Sequence, residues 1–363
     1  MKKVFVIAEA GVNHNGDFIL AKELIDIAAS SGADAIKFQT FVTKMVMTRS
    51  AAKAKYQLNT TKDSKTQYDM VKKLELPFKW HYDLLDYCKT KNIKFLSTAF
   101  DKCSLDFLAD EILLDILKIP SGEITNGPFL LECALKKRNI ILSTGMSTIA
   151  DIEKALSIIA FGFIHDNKSR IKPSEAVFLK AYNSSKGKNL LKERVTLLHC
   201  TTQYPAPINE VNLNAISEMR NFFGLDIGYS DHTNGILIPI AAVALGASII
   251  EKHFTIDKNM IGPDHKASLE PEELKDMVKS IRLIEKSMGD GEKNPVPSEM
   301  VNIDAARRSI VALKEIKSGE MFTSDNLGIK RPGSGVSPMS YWKYLGKKSR
   351  NRYMVDELIK NEE

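Results

Sequence analysis

Short apolar runs rich in β-branched residues recur along this chain, each followed by a polar or glycine-containing turn and then a longer segment with helical periodicity. The runs are Val4–Ala10, Ala35–Phe41, Lys94–Phe100, Ile116–Pro120, Asn139–Thr144, Val195–Thr201, Asp226–Ser230 and Ser248–Thr255. Helical segments lie between them, such as Ile19–Ser31, with Leu20, Leu24, Ile27 and Ala28 on one face, and Ile149–Ala160. Eight βα units over roughly 250 residues predict an α/β fold of the closed (β/α)8 barrel type. An open doubly wound sheet also alternates, but it usually has fewer strands, and no G-x-G-x-x-G follows the first run.

Two connections are too long for simple turns. Thr43–Glu75 is polar and predicts a loop over the barrel mouth, and Ser147–Arg194, basic from Lys168 onward, predicts a surface insertion. After Met288 the pattern changes. The segment 289–305 opens on Gly289-Asp290-Gly291 and reads as a linker, and 306–363 alternates short strands and turns, predicting a small β-rich domain. The barrel domain is therefore expected over 1–288.

Composition works by exclusion. The longest apolar run, Ile236 to Ile250, is shorter than the roughly 20 residues of a membrane span and contains Pro239 and Gly246, so it predicts a buried helix leading into the last strand. Val4 to Ala8 is too short for a signal peptide and is followed by Glu9. Cys88, Cys103, Cys133 and Cys200 show no pairing or metal-ligand spacing, which points to a reducing, cytoplasmic setting. The formal charge of +6 lies partly in a C-terminal group, Lys343, Lys347, Lys348, Arg350 and Arg352, that reads as solvated surface. No basic stripe with interleaved aromatics suggests nucleic acid, and the balance favours anionic small molecules.

Chemistry concentrates where a barrel builds its site, at the C-terminal strand ends. Glu9, Lys37 with Gln39, Thr98, Lys118 with Ser121 and Glu123, Ser143, His199 with Tyr204, Ser230 with His232, and Glu251 with His253 occupy those ends in order. A single strand-end hydroxyl commonly caps a turn. Polar groups at all eight ends would make a poor core, because each buried unpaired group costs about 1–3 kcal/mol. Lys37, Thr98, Lys118, Ser121, Ser143 and Ser230 supply cations and hydroxyls suited to a phosphate and a carboxylate. Lysines inside apolar strands weaken the purely structural reading further, since buried Lys requires an anion. His232 and His253 close adjacent strands, about 4.8 Å apart, beside Glu9 and Asp264. They predict a divalent metal with open positions for substrate oxygens, Mn, Fe, Co or Zn rather than Ca. His14, His199 and His265 read as structural, and Cys200 faces away from His199.

These motifs, in order along the whole chain, resemble the sialic acid synthases: Ile7-Ala8-Glu9-Ala10-Gly11-Val12-Asn13-His14-Asn15-Gly16, Lys37-Phe38-Gln39, Lys118-Ile119-Pro120-Ser121-Gly122-Glu123, Ser143-Thr144-Gly145-Met146, Gly228-Tyr229-Ser230-Asp231-His232-Thr233, Glu251-Lys252-His253-Phe254 and Gly262-Pro263-Asp264. A C-terminal module ending in Lys330-Arg331-Pro332-Gly333 is similar to type III antifreeze proteins, the SAF module. The resemblance implies condensation of phosphoenolpyruvate with an N-acylated amino-sugar aldehyde. It gives the lysine and hydroxyl group to phosphoenolpyruvate, and Gln39, Tyr204, Asp264 and Arg331 to the sugar. Glu9, Glu123 and Asp264 are implied for the proton transfers. His232 and His253 would hold manganese, with magnesium or cobalt as alternatives. A domain-swapped homodimer is implied too, in which Arg331 reaches the partner's sugar.

Cys200 to Pro207 and Gly262 to Ser268 are closer to legionaminate synthases, which take 2,4-diacetamido-2,4,6-trideoxymannose. N-acetylneuraminate synthases, which take N-acetylmannosamine, often carry Asn at the Thr202 position. Gln203 stands where both branches commonly carry Glu, and the pseudaminate branch fits less well at the first motif. Two other readings compete. A class I pyruvate aldolase acting through Lys118 leaves the histidines and hydroxyls unused. A sugar- or ice-binding protein built on Ala306–Glu363 leaves the barrel's polar ring unexplained.

Overall fold

The computed structural model describes residues 3–52, 66–166 and 171–361. Eight parallel strands close a barrel in sequence order: β1 (Phe5–Gly11), β2 (Ala35–Thr40), β3 (Lys94–Ala99), β4 (Ile116–Ile119), β5 (Asn139–Ser143), β6 (Val195–Cys200), β7 (Asp226–Asp231) and β8 (Ile249–His253). The chain divides into two compact units, Met1–Gly289 and Asp290–Glu363.

Strand parity sorts each run into two faces. Outward side chains such as Val6, Phe38, Leu117, Leu142, Leu197 and Ile250 join the main core with the helices. Inward side chains form two layers. The lower is apolar: Ile7, Ala35, Leu96, Ile141, Leu198 and Ile249 pack together. Gly228 belongs to this layer because a Cβ there would lie 2.5 Å from Leu198 Cδ2 and 2.7 Å from the Ile249 carbonyl. Two residues further along each strand, the upper layer is polar: Glu9, Lys37, Thr98, Lys118, Ser143, Ser230 and Glu251, all buried. The register holds it level, pairing Glu9 with Lys37, Thr98 with Lys118 and Ser230 with Glu251.

The helices start and stop on local signals. Asp17 caps Phe18–Ser30 by accepting from the Ile19 and Leu20 amides, and Thr148 with Asp151 forms a capping box on Ile149–Ile164. The long connection Ser147–Arg194 is not only a surface insertion. It opens with this barrel helix, then adds Glu175–Asn183 and Ser185–Arg194, which pack back on it. One of its basic residues has a structural use: Arg194 Nη1 donates to the Lys137 carbonyl at 2.9 Å. Lys137 Nζ in turn donates to the carbonyls of Gly162 and Phe163 at the C-terminus of Ile149–Ile164. Of the expected mouth loop Thr43–Glu75, 53–65 lies outside the described residues. Its described ends are helical, Thr43–Val46 and Gln67–Lys72. The apolar run 236–250 becomes the helix Leu237–Ala244 followed by β8, and no helix among the described residues is long and apolar enough to cross a membrane.

The second unit has its own core of Ile310, Ala312, Ile316, Phe322, Leu327, Tyr344, Tyr353 and Ile359. Its strands β9 (Ser309–Ala312) and β10 (Leu327–Lys330) pair antiparallel.

Candidate active site

The polar layer floors a cavity at the C-terminal end of the barrel. Glu9, Lys37, Gln39, Thr98, Lys118, Ser121, Ser143, Tyr204, Ser230, His232, His253 and Asp264 all line it. Its centre is a cluster of two lysines and two carboxylates. Lys37 Nζ lies 2.7 Å from Glu9 Oε2 and 3.4 Å from Glu251 Oε2, and Lys118 Nζ lies 3.3 Å from Glu251 Oε1. Lys37 also donates to Thr98 Oγ1 at 2.8 Å, and Ser230 Oγ to Glu251 Oε1 at 2.8 Å. Glu9 Oε2 and Glu251 Oε2 thus face the Lys37 ammonium as ion-pair partners.

The two carboxylates differ sharply in acidity. Burial pushes Glu9 up to about 7, against the pull of Lys37 and with added repulsion from Glu251. Burial would raise Glu251 as well, but Lys118, Lys37 and the Ser230 hydroxyl hold it ionised, well below the usual carboxylate range. Burial and the neighbouring Lys37 lower Lys118, whereas Glu251 and Glu9 outweigh burial at Lys37 and raise it. The site thus holds one carboxylate fixed as an anion and another poised to exchange a proton near neutrality. Asp264 is a third, raised to about 6 by burial alone.

The two histidines face each other with ring centroids 5.7 Å apart, and Tyr204 packs on His232 at 4.1 Å. His232 Nδ1 is 2.6 Å from the Thr201 carbonyl. A carbonyl only accepts, so Nδ1 carries the proton and Nε2 keeps its lone pair. His253 Nδ1 is buried without a hydrogen-bond partner. Burial lowers both rings below the ordinary histidine range, leaving them neutral, the form that binds metals. The donor chemistry fits a divalent cation that draws its other ligands from substrate and water. Among the described residues no group of three or more His, Cys, Asp or Glu side chains is arranged to hold one.

The loops that carry these groups are fixed by side chains just outside the cavity. Asn13 Nδ2 donates to Ser268 Oγ at 2.9 Å, and Ser268 Oγ donates to the Asp264 carbonyl at 2.7 Å. His265 lies 3.1 Å from Asn15 Oδ1 and 2.7 Å from Thr255 Oγ1, which ties the Asp264 loop to the turn after β1. Gly11, with φ +55°, passes so close that a Cβ would sit 3.2 Å from the His253 ring and 3.4 Å from Glu9 Oε1.

One expected site residue lies elsewhere. Glu123, in the 3-10 turn Ser121–Glu123, does not line the cavity, and its carboxylate accepts from Asn126 Nδ2 at 2.6 Å. Arg331 is exposed in the second unit, with Nε donating to the Ala306 carbonyl at 3.2 Å. His14 and His199 also stay outside: His14 Nδ1 accepts from the Gly16 amide, and His199 Nε2 lies 2.7 Å from the Val211 carbonyl. Glu251 is the functional group that motif reading underrated. It sits two residues before His253 on one strand face, which is the signal that could have found it. Cys200 also lines the cavity, 3.2 Å from Ser121 Oγ, together with an apolar wall.

Comparison with known proteins gives matches along most of the chain. Residues 24–293 match the model of the NeuB family, and 307–361 match the SAF domain. The chain is 52% identical to an N,N'-diacetyllegionaminic acid synthase of Campylobacter jejuni, over 99% of this chain and all of that one. It is 44% identical to an N,N'-diacetyllegionaminic acid synthase of Legionella pneumophila, over 94% and 89%. Among solved structures it resembles the N-acetylneuraminic acid synthetase of Leptospira borgpetersenii in complex with citrate. That match has a TM-score of 0.66 and 36% identity, over 84% of this chain and 91% of that one.

Proposed function

This chain belongs to the NeuB family, the nonulosonic acid synthases, and from that premise we propose that it condenses phosphoenolpyruvate with open-chain 2,4-diacetamido-2,4,6-trideoxymannose, releasing phosphate. The observation that carries the reading is one cavity holding both a buried lysine-and-hydroxyl layer and a pair of neutral imidazoles.

In this reading Lys37 and Lys118, with the hydroxyls of Thr98, Ser121, Ser143 and Ser230, hold the phosphate and carboxylate of phosphoenolpyruvate. The aldehyde end of the sugar lies at His232 and His253, with Gln39, Tyr204 and Asp264 along its length. His232 and His253 would hold a divalent cation, manganese by preference, which when bound would supply Lewis-acid polarisation of the aldehyde oxygen. C3 of phosphoenolpyruvate then bonds to the aldehyde carbon, leaving positive charge at C2, and water adds there. The tetrahedral carbon loses phosphate by breaking its C2–O bond, and the water oxygen remains as the ketone.

Of the two protons the water brings, one ends on the former aldehyde oxygen and one on phosphate. Glu9 is the group proposed to take the first from water, because its raised pKa matches that task. Asp264, also raised, is the group proposed to deliver a proton to the aldehyde oxygen. Ionised Glu251 keeps Lys37 and Lys118 charged before substrate arrives. The homodimer, with Arg331 reaching the N-acyl group of the partner's sugar, belongs to the same proposal, as does the cytoplasm, where thiols such as Cys88 and Cys133 stay reduced.

The test uses phosphoenolpyruvate carrying oxygen-18 in its C–O–P bridge. The proposal expects the label in released phosphate, with turnover abolished by EDTA and restored by Mn2+. Label retained in the nonulosonic acid, or EDTA-insensitive turnover, would rule it out.

A further inference from the structure

One wall of the cavity has no part in the chemistry above. Val12, Phe41 and Phe100 follow β1, β2 and β3, and Met70, Val71 and Leu74 come from the Gln67–Lys72 helix and the turn after it. Val12, Phe41 and Leu74 form a buried apolar cluster, with Val71 and Phe100 packed against it, and Phe41 meets Phe100 edge to face at 6.1 Å.

The wall is held in place. Thr43 N donates to Glu75 Oε1 at 2.7 Å and Lys72 Nζ to Glu75 Oε2 at 2.6 Å. Gly16, with φ +74°, lets the backbone in, since a Cβ there would stand 2.5 Å from the Lys73 carbonyl oxygen. A side chain at position 16 would push the segment off the barrel.

Resting on the proposed condensation, we infer that this wall selects the sugar by its apolar tail, receiving the C6 methyl and the C4 acetamido methyl of a 2,4-diacetamido-2,4,6-trideoxy aldose. The lysine layer takes the anionic substrate and the histidine pair takes the aldehyde, so the apolar wall is left for the far end of the sugar. Open-chain N-acetylmannosamine carries a hydroxyl on every carbon from C3 to C6. A hydroxyl pressed against six apolar side chains loses its water and gains no partner. The trideoxy sugar replaces the hydroxyls at C4 and C6 and presents methyl groups instead.

The experiment compares kcat/KM, by phosphate release from the full chain, for three sugars: N-acetylmannosamine, 2-acetamido-2,6-dideoxymannose and 2,4-diacetamido-2,4,6-trideoxymannose. The first two differ only by the C6 hydroxyl, and the wall predicts a preference of about 100-fold for the deoxy sugar. Met70→Gln and Val71→Thr each shrink that preference by about tenfold or more. Val71→Thr is nearly isosteric at a half-buried position, so it keeps the test valid if Met70→Gln fails to fold. No preference in the parent enzyme, or an unchanged ratio in a folded variant, overturns the wall as the selector. Turnover of all three sugars at equal efficiency overturns the wall alone, whereas no phosphate from any of them overturns the condensation as well.

Discussion

Glu9 shows how one position can serve as both structure and chemistry. It pairs with Lys37 in register and in charge, yet burial still lifts it to about 7 from an ordinary 4.5. If its ionised form takes the proton from water, kcat/KM should rise with pH through about 7, and that limb should vanish in Glu9→Gln. Turnover of the variant should fall by about 10²- to 10⁴-fold while Mn2+, followed by electron paramagnetic resonance, still binds. Near-normal turnover would remove Glu9 from the mechanism. Stability carries the opposite sign. Because the folded pKa exceeds the unfolded one, the native state holds extra proton between about pH 4.5 and 7, so stability declines as pH rises through that window. Glu9→Gln should flatten that slope in urea titrations. At this scale the strand-end residues were legible because parity puts i and i+2 on one face. Glu123 follows no such rule, because the 3-10 turn after β4 does not alternate.

Among the elements, β7 leads directly into His232 and β8 ends in His253, and an outward-facing ion pair joins the two strands. Asp231 and Lys252 are register partners, fully buried and 2.5 Å apart. Asp231 also accepts from the Tyr229 hydroxyl, the Thr233 amide and the Thr233 hydroxyl. Lys252→Ala should cost about 3–5 kcal/mol in urea unfolding, because it strands a buried carboxylate. Replacing both, as Asp231→Leu with Lys252→Met, should cost clearly less, and equal losses would mean the pair itself dominates. The eight strands were legible because each run has an apolar outer face and a polar end. The helices Glu175–Asn183 and Ser185–Arg194 were not, the first being short and the second polar. Packing on Ile149–Ile164 and the anchor between Arg194 and Lys137 decide their fold.

For the whole molecule, the break after Met288 was legible as a change from helical periodicity to short strands and turns. The chain divides there into Met1–Gly289 and Asp290–Glu363. What a single sequence could not supply is whether Arg331 serves a barrel site, since that depends on assembly. If the site is shared across a homodimer, mixing inactive Glu9→Gln with inactive Arg331→Ala and allowing subunit exchange should restore activity that neither shows alone. No recovery from exchanged dimers would place each site within one chain. The central claim is tested most directly by supplying phosphoenolpyruvate, Mn2+ and 2,4-diacetamido-2,4,6-trideoxymannose and measuring phosphate together with the nonulosonic acid formed. Equimolar release of both, faster than with N-acetylmannosamine, is the expected result, and no phosphate with either sugar would contradict it.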